Sequence, residues 1–306
     1  MLYRKENFLS TKVYKKGSTL KALPWIGPAL LLIFGFVLWP MVELFFVSLR
    51  HISVSGLIKG WSGFKNYKAL FNNSDLIATV ERTGLWLVIV VVATMALSLP
   101  LAQLMNAKFR GRRFLRYSVI VPWAASLVIT ATSWKWILDP YYGIMNNILM
   151  NFHIIKAPID LLGSPDTSFV MLLIVGVLVS LPFTSYVLLA GLQAIPHDIL
   201  EAARVDGAGP WKGYWTIIFP LLKPAFLVAS VINAVYVFNS FPIIWVMTQG
   251  GPGYSTDTTT TFAYKIAFRD QDIGQSAALA VGNFLVILIF IVLFLKLSKW
   301  RELDQQ

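Results

Sequence analysis

The sequence predicts an all-α membrane protein of six transmembrane helices, with a polar helix inserted between spans four and five. Three observations carry that expectation. Of 306 residues, 57% are hydrophobic and only 13% charged, whereas soluble domains carry about 25% charged residues. The apolar residues gather into segments close to the length of about 20 that a helix needs to cross a bilayer core. The basic residues sit beside those segments instead of forming one patch, so the net charge of +11 reads as membrane topology and not as a nucleic-acid surface.

Six spans follow in order: Trp25–Leu49, Gly84–Met105, Tyr117–Leu138, Phe169–Leu192, Phe219–Met247 and Ile273–Leu297. Residues 1–22 form a polar, basic segment, residues 23–298 one membrane domain, and residues 299–306 a short tail. A cleaved signal peptide has a shorter apolar core and a small-residue cleavage site, so the first span reads as a retained anchor. Pro100, Pro122, Pro182 and Pro242 fall inside or near the spans. Prolines are tolerated there when neighbouring helices satisfy the freed carbonyls, which points to kinked helices in a bundle around a pathway.

Orientation follows from Lys and Arg. Seventeen of the 26 lie in the N-terminal segment, the loop after span two, the loop after span four and the C-terminal tail. All four regions should be cytoplasmic, with both termini inside. The loop between spans one and two carries Lys59, Lys65, Lys68 and Arg82 against that trend.

Several chemistries are absent from the sequence. Cysteine is missing, and His51, His153 and His197 lie far apart, so neither thiol chemistry nor a metal site is expected. No G-x-x-x-x-G-K-[ST] phosphate loop is present. The spans hold little beyond Glu43 that could serve a membrane enzyme, and no catalytic residue is assigned.

The most informative stretch is QAIPHDILEAARVDGAGPWKGYWTIIFPLLKP, between Gln193 and Pro224. Ile199 to Ala208 can form a short helix with Asp198 as N-cap and Gly207 at its end. Leu200, Ala203 and Arg204 share one side by their spacing. Glu201-Ala202-Ala203, Gly207, Ile217 and Pro220 fit the pattern EAA-x3-G-x9-I-x-LP, with Phe219 in place of Leu. This stretch resembles the EAA loop in permease subunits of binding-protein-dependent ABC importers.

Other segments carry the resemblance further. Thr248-Gln249-Gly250-Gly251-Pro252-Gly253 follows span five, and Trp134 to Pro140, with Gly143 and Asn146, follows span three. Gly60 to Tyr67 is similar to the external loop of sugar permeases. From about Trp25 onward the chain resembles the first membrane subunit, of maltose or glycerol-phosphate type, of carbohydrate ABC importers.

That resemblance implies an alternating-access permease in a bacterial or archaeal cytoplasmic membrane. It implies a second homologous permease, two ATP-binding-cassette ATPase subunits and an extracytoplasmic solute-binding protein as partners. It implies ATP and magnesium in the ATPases and no cofactor in this chain. Glu201, Ala202, Ala203, Asp206 and Gly207 would couple to the ATPase. Asp206 reads equally as a helix-end residue on a solvated face.

For the cargo, Asn233, Tyr236 and Ser240 share a stripe about 60° wide on a continuous helix. The family's sugar-contacting positions fall on Trp123, Leu127, Ser180, Phe183, Asn233, Val237 and Ser240. The expected substrate-binding set is Trp123, Ser180, Phe183, Asn233, Tyr236 and Ser240. Leu127 and Val237 stand where the maltose-type permease has polar residues, so the cargo need not be maltose-like. Glycerol phosphate, a polyol or an acidic oligosaccharide remain alternatives. The polar groups also read as hydrogen-bonding glue between helices. Lys135 reads either as snorkelling to the interface or as meeting an acidic substrate. A stand-alone channel or secondary transporter has no use for an EAA helix.

Overall fold

The computed structural model describes residues 19–207 and 209–303. Most of the expected N-terminal segment 1–22, and residues 304–306 of the tail, lie outside them.

Helix α1 (Thr19–Ile33), a π-helical turn (Phe34–Leu38) and α2 (Trp39–Ser48) make one apolar rod. The π turn has a local cause. Pro40 lies in the first turn of α2 and has no N–H to give. The amide before it, on Trp39, bonds back five residues to the Phe34 carbonyl. Most of the rod's apolar side chains are exposed, as a face toward lipid would be. It meets the bundle through Phe45, which packs edge-on against Phe284 at 6.1 Å.

A hairpin of β1 (Arg50–Ile52) and β2 (Ile58–Trp61) and helix α3 (Lys65–Phe71) follow. Asn66 donates to the carbonyls of Ser48 and Arg50 at 2.8 and 3.0 Å, and the hydroxyls of Tyr67 and Ser48 lie 2.8 Å apart. The Asn-Tyr pair therefore latches the hairpin to the end of α2.

Helix α4 (Ser74–Asn106) starts ten residues before the expected span. Asn73 caps it by accepting from Asp75 N at 3.0 Å, and its polar first turns precede the apolar stretch. Two expectations of straight spans are corrected. Span three is broken into α5 (Arg112–Trp123) and α6 (Leu127–Ile137), bent by 97°. Pro122 ends α5, and Ser126, in extended conformation, accepts from Ile129 N to start α6. Helix α7 (Ile144–Asn151) follows, and then α8 (Pro165–Gln193) packs along α4. Gly176 permits the approach, since a Cβ there would lie 2.6 Å from the Trp86 ring.

Helix α9 (His197–Val205) and the short α10 (Pro210–Gly213) lead into a second π turn (Tyr214–Ile218) and α11 (Phe219–Phe238). Phe219 N bonds to Tyr214 O just before Pro220, repeating the device at Pro40. Because α9 begins at His197, Asp198 sits in its first turn and is not the N-cap expected. Span five is the second broken span. It stops at Phe238 and resumes as α12 (Phe241–Thr248), with Pro242 in the first turn.

Helices α13 (Thr259–Phe268) and α14 (Ile273–Leu303) complete the described chain. Residues 299–303 of the expected tail therefore continue α14. Among the described residues, five helical stretches are long and apolar enough to cross a membrane, and the bent pair α5–α6 makes six if counted as one span.

Between α12 and α13 the chain folds over a buried ion pair. Lys265 Nζ donates to Asp257 Oδ2 at 2.6 Å, with side-chain exposures of 7% and 0%. The ammonium also lies 4.6 Å from the Tyr254 ring centre. Burial pushes the Asp257 carboxyl above the usual aspartate range, against the opposing pull of Lys265. Gly250 has φ +77°, and a Cβ there would run into Asp257 Oδ1 and lie 2.7 Å from Lys265 Nζ. The turn thus requires glycine for both conformation and space.

Candidate functional site

Five of the six expected cargo residues meet around one small cavity of about 130 Å³. It is lined by Trp123, Ser180, Phe183, Ile232, Asn233 and Tyr236. Trp123 comes from the last residue of α5, Ser180 and Phe183 flank Pro182 on α8, and the others lie on α11. The rings of Trp123 and Phe183 stack at 5.8 Å with 21° between their planes.

Asn233 is 2% exposed, and its side-chain amide Nδ2 has no hydrogen-bond partner. A buried polar group without a partner is costly in a protein interior. The amide is thus an unsatisfied donor at the cavity wall.

A second cavity, of about 440 Å³, adjoins the first through Trp123 and Tyr236. Ser118, Thr130 and Trp134 line it with Pro122, Leu127 and Pro182. Neither lining includes a charged side chain. Thr130 and Trp134 were missed in the sequence because a straight span three aims them differently. The break was signalled by Pro122 followed four residues later by Ser126, a good N-cap residue.

Ser240 does not join the cavity. Its hydroxyl donates to Val237 O at 2.7 Å and accepts from Trp86 Nε1 at 3.1 Å. Trp86 Nε1 also donates to Val237 O at 3.0 Å. This network pins the break between α11 and α12 to α4, so Ser240 holds helices together here. The break also removes the continuous helix on which its stripe with Asn233 and Tyr236 rested. Val237 is buried in the core.

Helix α9 divides the EAA residues between two faces. Glu201, Ala202, Asp206 and Gly207 are exposed, as is Val205. Ala203 is half-buried and, with Leu200, lines an inner cavity of about 790 Å³. Leu99, Pro100 and Gln103 of α4 and the π turn around Tyr214 form its other walls. Gly207 has φ +75° with open space around it, so conformation alone selects glycine there. Lys135 lines a separate cavity of about 340 Å³ with Asp139, Asp160 and Thr248.

A helical membrane bundle with broken spans and an uncharged, aromatic-lined cavity between them defines a permease-like class of protein. Comparison with known proteins makes the class specific. The family model described as "binding-protein-dependent transport system inner membrane component" matches residues 94–299, and the chain belongs to that family. A probable ABC transporter permease of Brucella suis is 40% identical, over 92% of this chain and 98% of that protein. The trehalose/maltose transport system permease of Thermococcus litoralis is 31% identical, over 97% and 99%. An sn-glycerol-3-phosphate permease of Agrobacterium fabrum is also 31% identical, over 94% and 96%. Among solved structures, a chain of a bacterial alginate ABC transporter, in complex with an alginate pentasaccharide-bound periplasmic protein, superimposes with a TM-score of 0.79. It is 22% identical and covers 90% of this chain and 92% of its own. The chain is a multi-pass membrane permease of the ABC importer type.

Proposed function

We propose that this chain imports a neutral carbohydrate delivered by a solute-binding protein, and that cargo passes through the cavity between α5, α8 and α11. One observation carries the reading. The lining combines stacked aromatic rings, an unpartnered buried Asn233 amide and no charged side chain. A ring can cover the apolar face of a sugar while an amide donates to one of its oxygens. A phosphate or uronate would find no counter-charge in this lining and would lose its hydration. The name of a relative that carries trehalose and maltose supports a neutral glycoside.

In this reading residues 23–298 form the transport domain, with six crossings and both termini cytoplasmic. A second homologous permease completes the pathway, and two ATPase subunits hydrolyse ATP with magnesium, leaving this chain without a cofactor. Glu201 and Ala202 on α9, with Asp206 and Gly207 in the turn after it, dock the ATPase. Ala203 supports the helix from behind. Closure of the ATPases moves α9, and the spans reorient about the cavity.

The test is uptake by the complete importer in proteoliposomes, with neutral, phosphorylated and uronic-acid sugars offered through the cognate binding protein. Uptake of a neutral glycoside, weakened several-fold by Asn233→Ala with normal complex yield, supports the proposal. Uptake of only an anionic cargo would overturn it. For orientation, an impermeant thiol reagent outside intact cells should miss Arg110→Cys and reach Asp160→Cys. The reverse pattern would invert the assigned topology.

A further inference from the structure

The loop from α4 to α5 concentrates positive charge that nothing nearby consumes. Lys108, Arg110, Arg112 and Arg113 fall within six residues. Three of them are exposed and Arg112 is half-buried. None makes an ion pair among the described residues, and the first turn of α5 contains no acidic residue. Cations at the start of a helix also oppose the aligned backbone dipoles. Two apolar rings flank the cluster, with Phe109 44% and Phe114 77% exposed. Exposed rings beside a basic cluster match the boundary between lipid headgroups and acyl chains.

The neighbouring Arg116 behaves differently. Its guanidinium donates twice to Met105 O, at 3.1 and 2.8 Å, and its own carbonyl accepts from the Tyr186 hydroxyl at 2.7 Å. Arg116 therefore ties the end of α4 to α5 and to α8, leaving the other four cations presented on a fixed elbow.

We propose that this elbow binds the phosphate headgroup of an anionic phospholipid, with Phe109 and Phe114 set into the acyl boundary. The occupant follows from charge complementarity together with the exposed rings. A soluble phosphate would use the cations and have no need of the rings, and an acidic protein surface would not call for two exposed phenyl groups. The other end of α5 is Trp123, in the cavity wall. A lipid held at the elbow would fix the position of that wall, and so make transport sensitive to lipid composition. This inference rests on membership of a membrane family and is independent of the cargo.

The experiment uses the complete importer purified in detergent. Native mass spectrometry counts lipids retained on titration with phosphatidylglycerol or phosphatidylcholine, with and without inorganic phosphate. The expected result is retention of phosphatidylglycerol over phosphatidylcholine, unaffected by phosphate. The triple variant Arg110→Gln, Arg112→Gln, Arg113→Gln should weaken that retention about a hundredfold, from about fivefold per basic residue. The corresponding triple Lys variant should restore most of it. If the Gln triple fails to insert, Arg110→Gln and Arg113→Gln singly should each show about the fivefold loss. Unchanged phosphatidylglycerol retention in these variants would overturn the proposal. Loss of ATPase subunits with unchanged lipid retention would assign the elbow to a protein partner instead.

Discussion

Replacing Lys265 by Met removes the one ion-pair partner, among the described residues, of a carboxylate with no exposure to solvent. The two opposing contributions from Lys265 to the Asp257 pKa, its hydrogen bond and its charge, vanish together. Burial then acts with less opposition, and the carboxyl moves further up from its ordinary value of 3.8. The folded chain must hold either a buried, unpaired anion or a proton taken up against the solution pH. Breaking a buried pair on one side costs about 3–5 kcal/mol. Protonation limits that cost, because holding a proton costs about 1.4 kcal/mol for each pH unit above the unfolded-state value. That limit is about 4 kcal/mol at pH 7 and about 1.6 kcal/mol at pH 5.

The sign is definite. A folded-state pKa raised above the unfolded one gives stability that is present at low pH and lost as pH rises through the folded value. Lys265→Met should therefore be close to wild type near pH 4 and progressively less stable toward pH 8. The assay is unfolding of the purified protein in detergent across that range. Adding Asp257→Asn to Lys265→Met should remove the pH dependence and restore most of the stability. A pH-independent loss in the single variant, or no rescue in the double, would refute the reasoning.

Gly250→Ala meets both a positive φ and the Asp257 carboxylate, so it should sharply lower the yield of folded protein, as read by size-exclusion chromatography. Trp86→Phe removes the single indole donor shared by Val237 O and Ser240 Oγ and should cost about 0.5–1.5 kcal/mol, one hydrogen bond's worth, in detergent unfolding. Gly207→Leu finds space but the wrong conformation. It should insert normally, copurify poorly with the ATPase and lose uptake, and normal copurification with full uptake would remove Gly207 from the coupling surface.

The spans and the EAA stretch were legible because length, apolarity and a fixed motif spacing are local properties of the chain. The cavity residues were proposed from polar type on span five and from the family resemblance on spans three to five, and five of the six line one cavity. The breaks were not read from apolarity: Trp123–Leu127 stays largely apolar, and the polar pair Asn239-Ser240 was absorbed into an expected helix. They depend on Pro122 and Pro242 acting with Ser126 and Ser240, a local competition that a span-length reading averages away. Ser240 followed the same error, because its stripe required a straight helix. The buried pair of Asp257 and Lys265 gave no sequence signal beyond an eight-residue separation across a turn, and the paired π turns became apparent only from the backbone.

The two breaks, one of them at the cavity wall, leave helix ends inside a helical membrane bundle. At the end of α11 the Val237 carbonyl is already taken by Trp86 and Ser240, whereas at the start of α6 the first amides lack helical partners, Ser126 meeting only that of Ile129. Such groups supply hydrogen-bonding capacity in the bilayer interior without any polar side chain. If the solute passes there, a lineage can exchange the rings and amides around the α6 break, retuning which solute is accepted, without losing those peptide groups. Much of the chemistry of passage would in that case belong to the shape of the backbone, and relatives with dissimilar linings could still conduct by the same device.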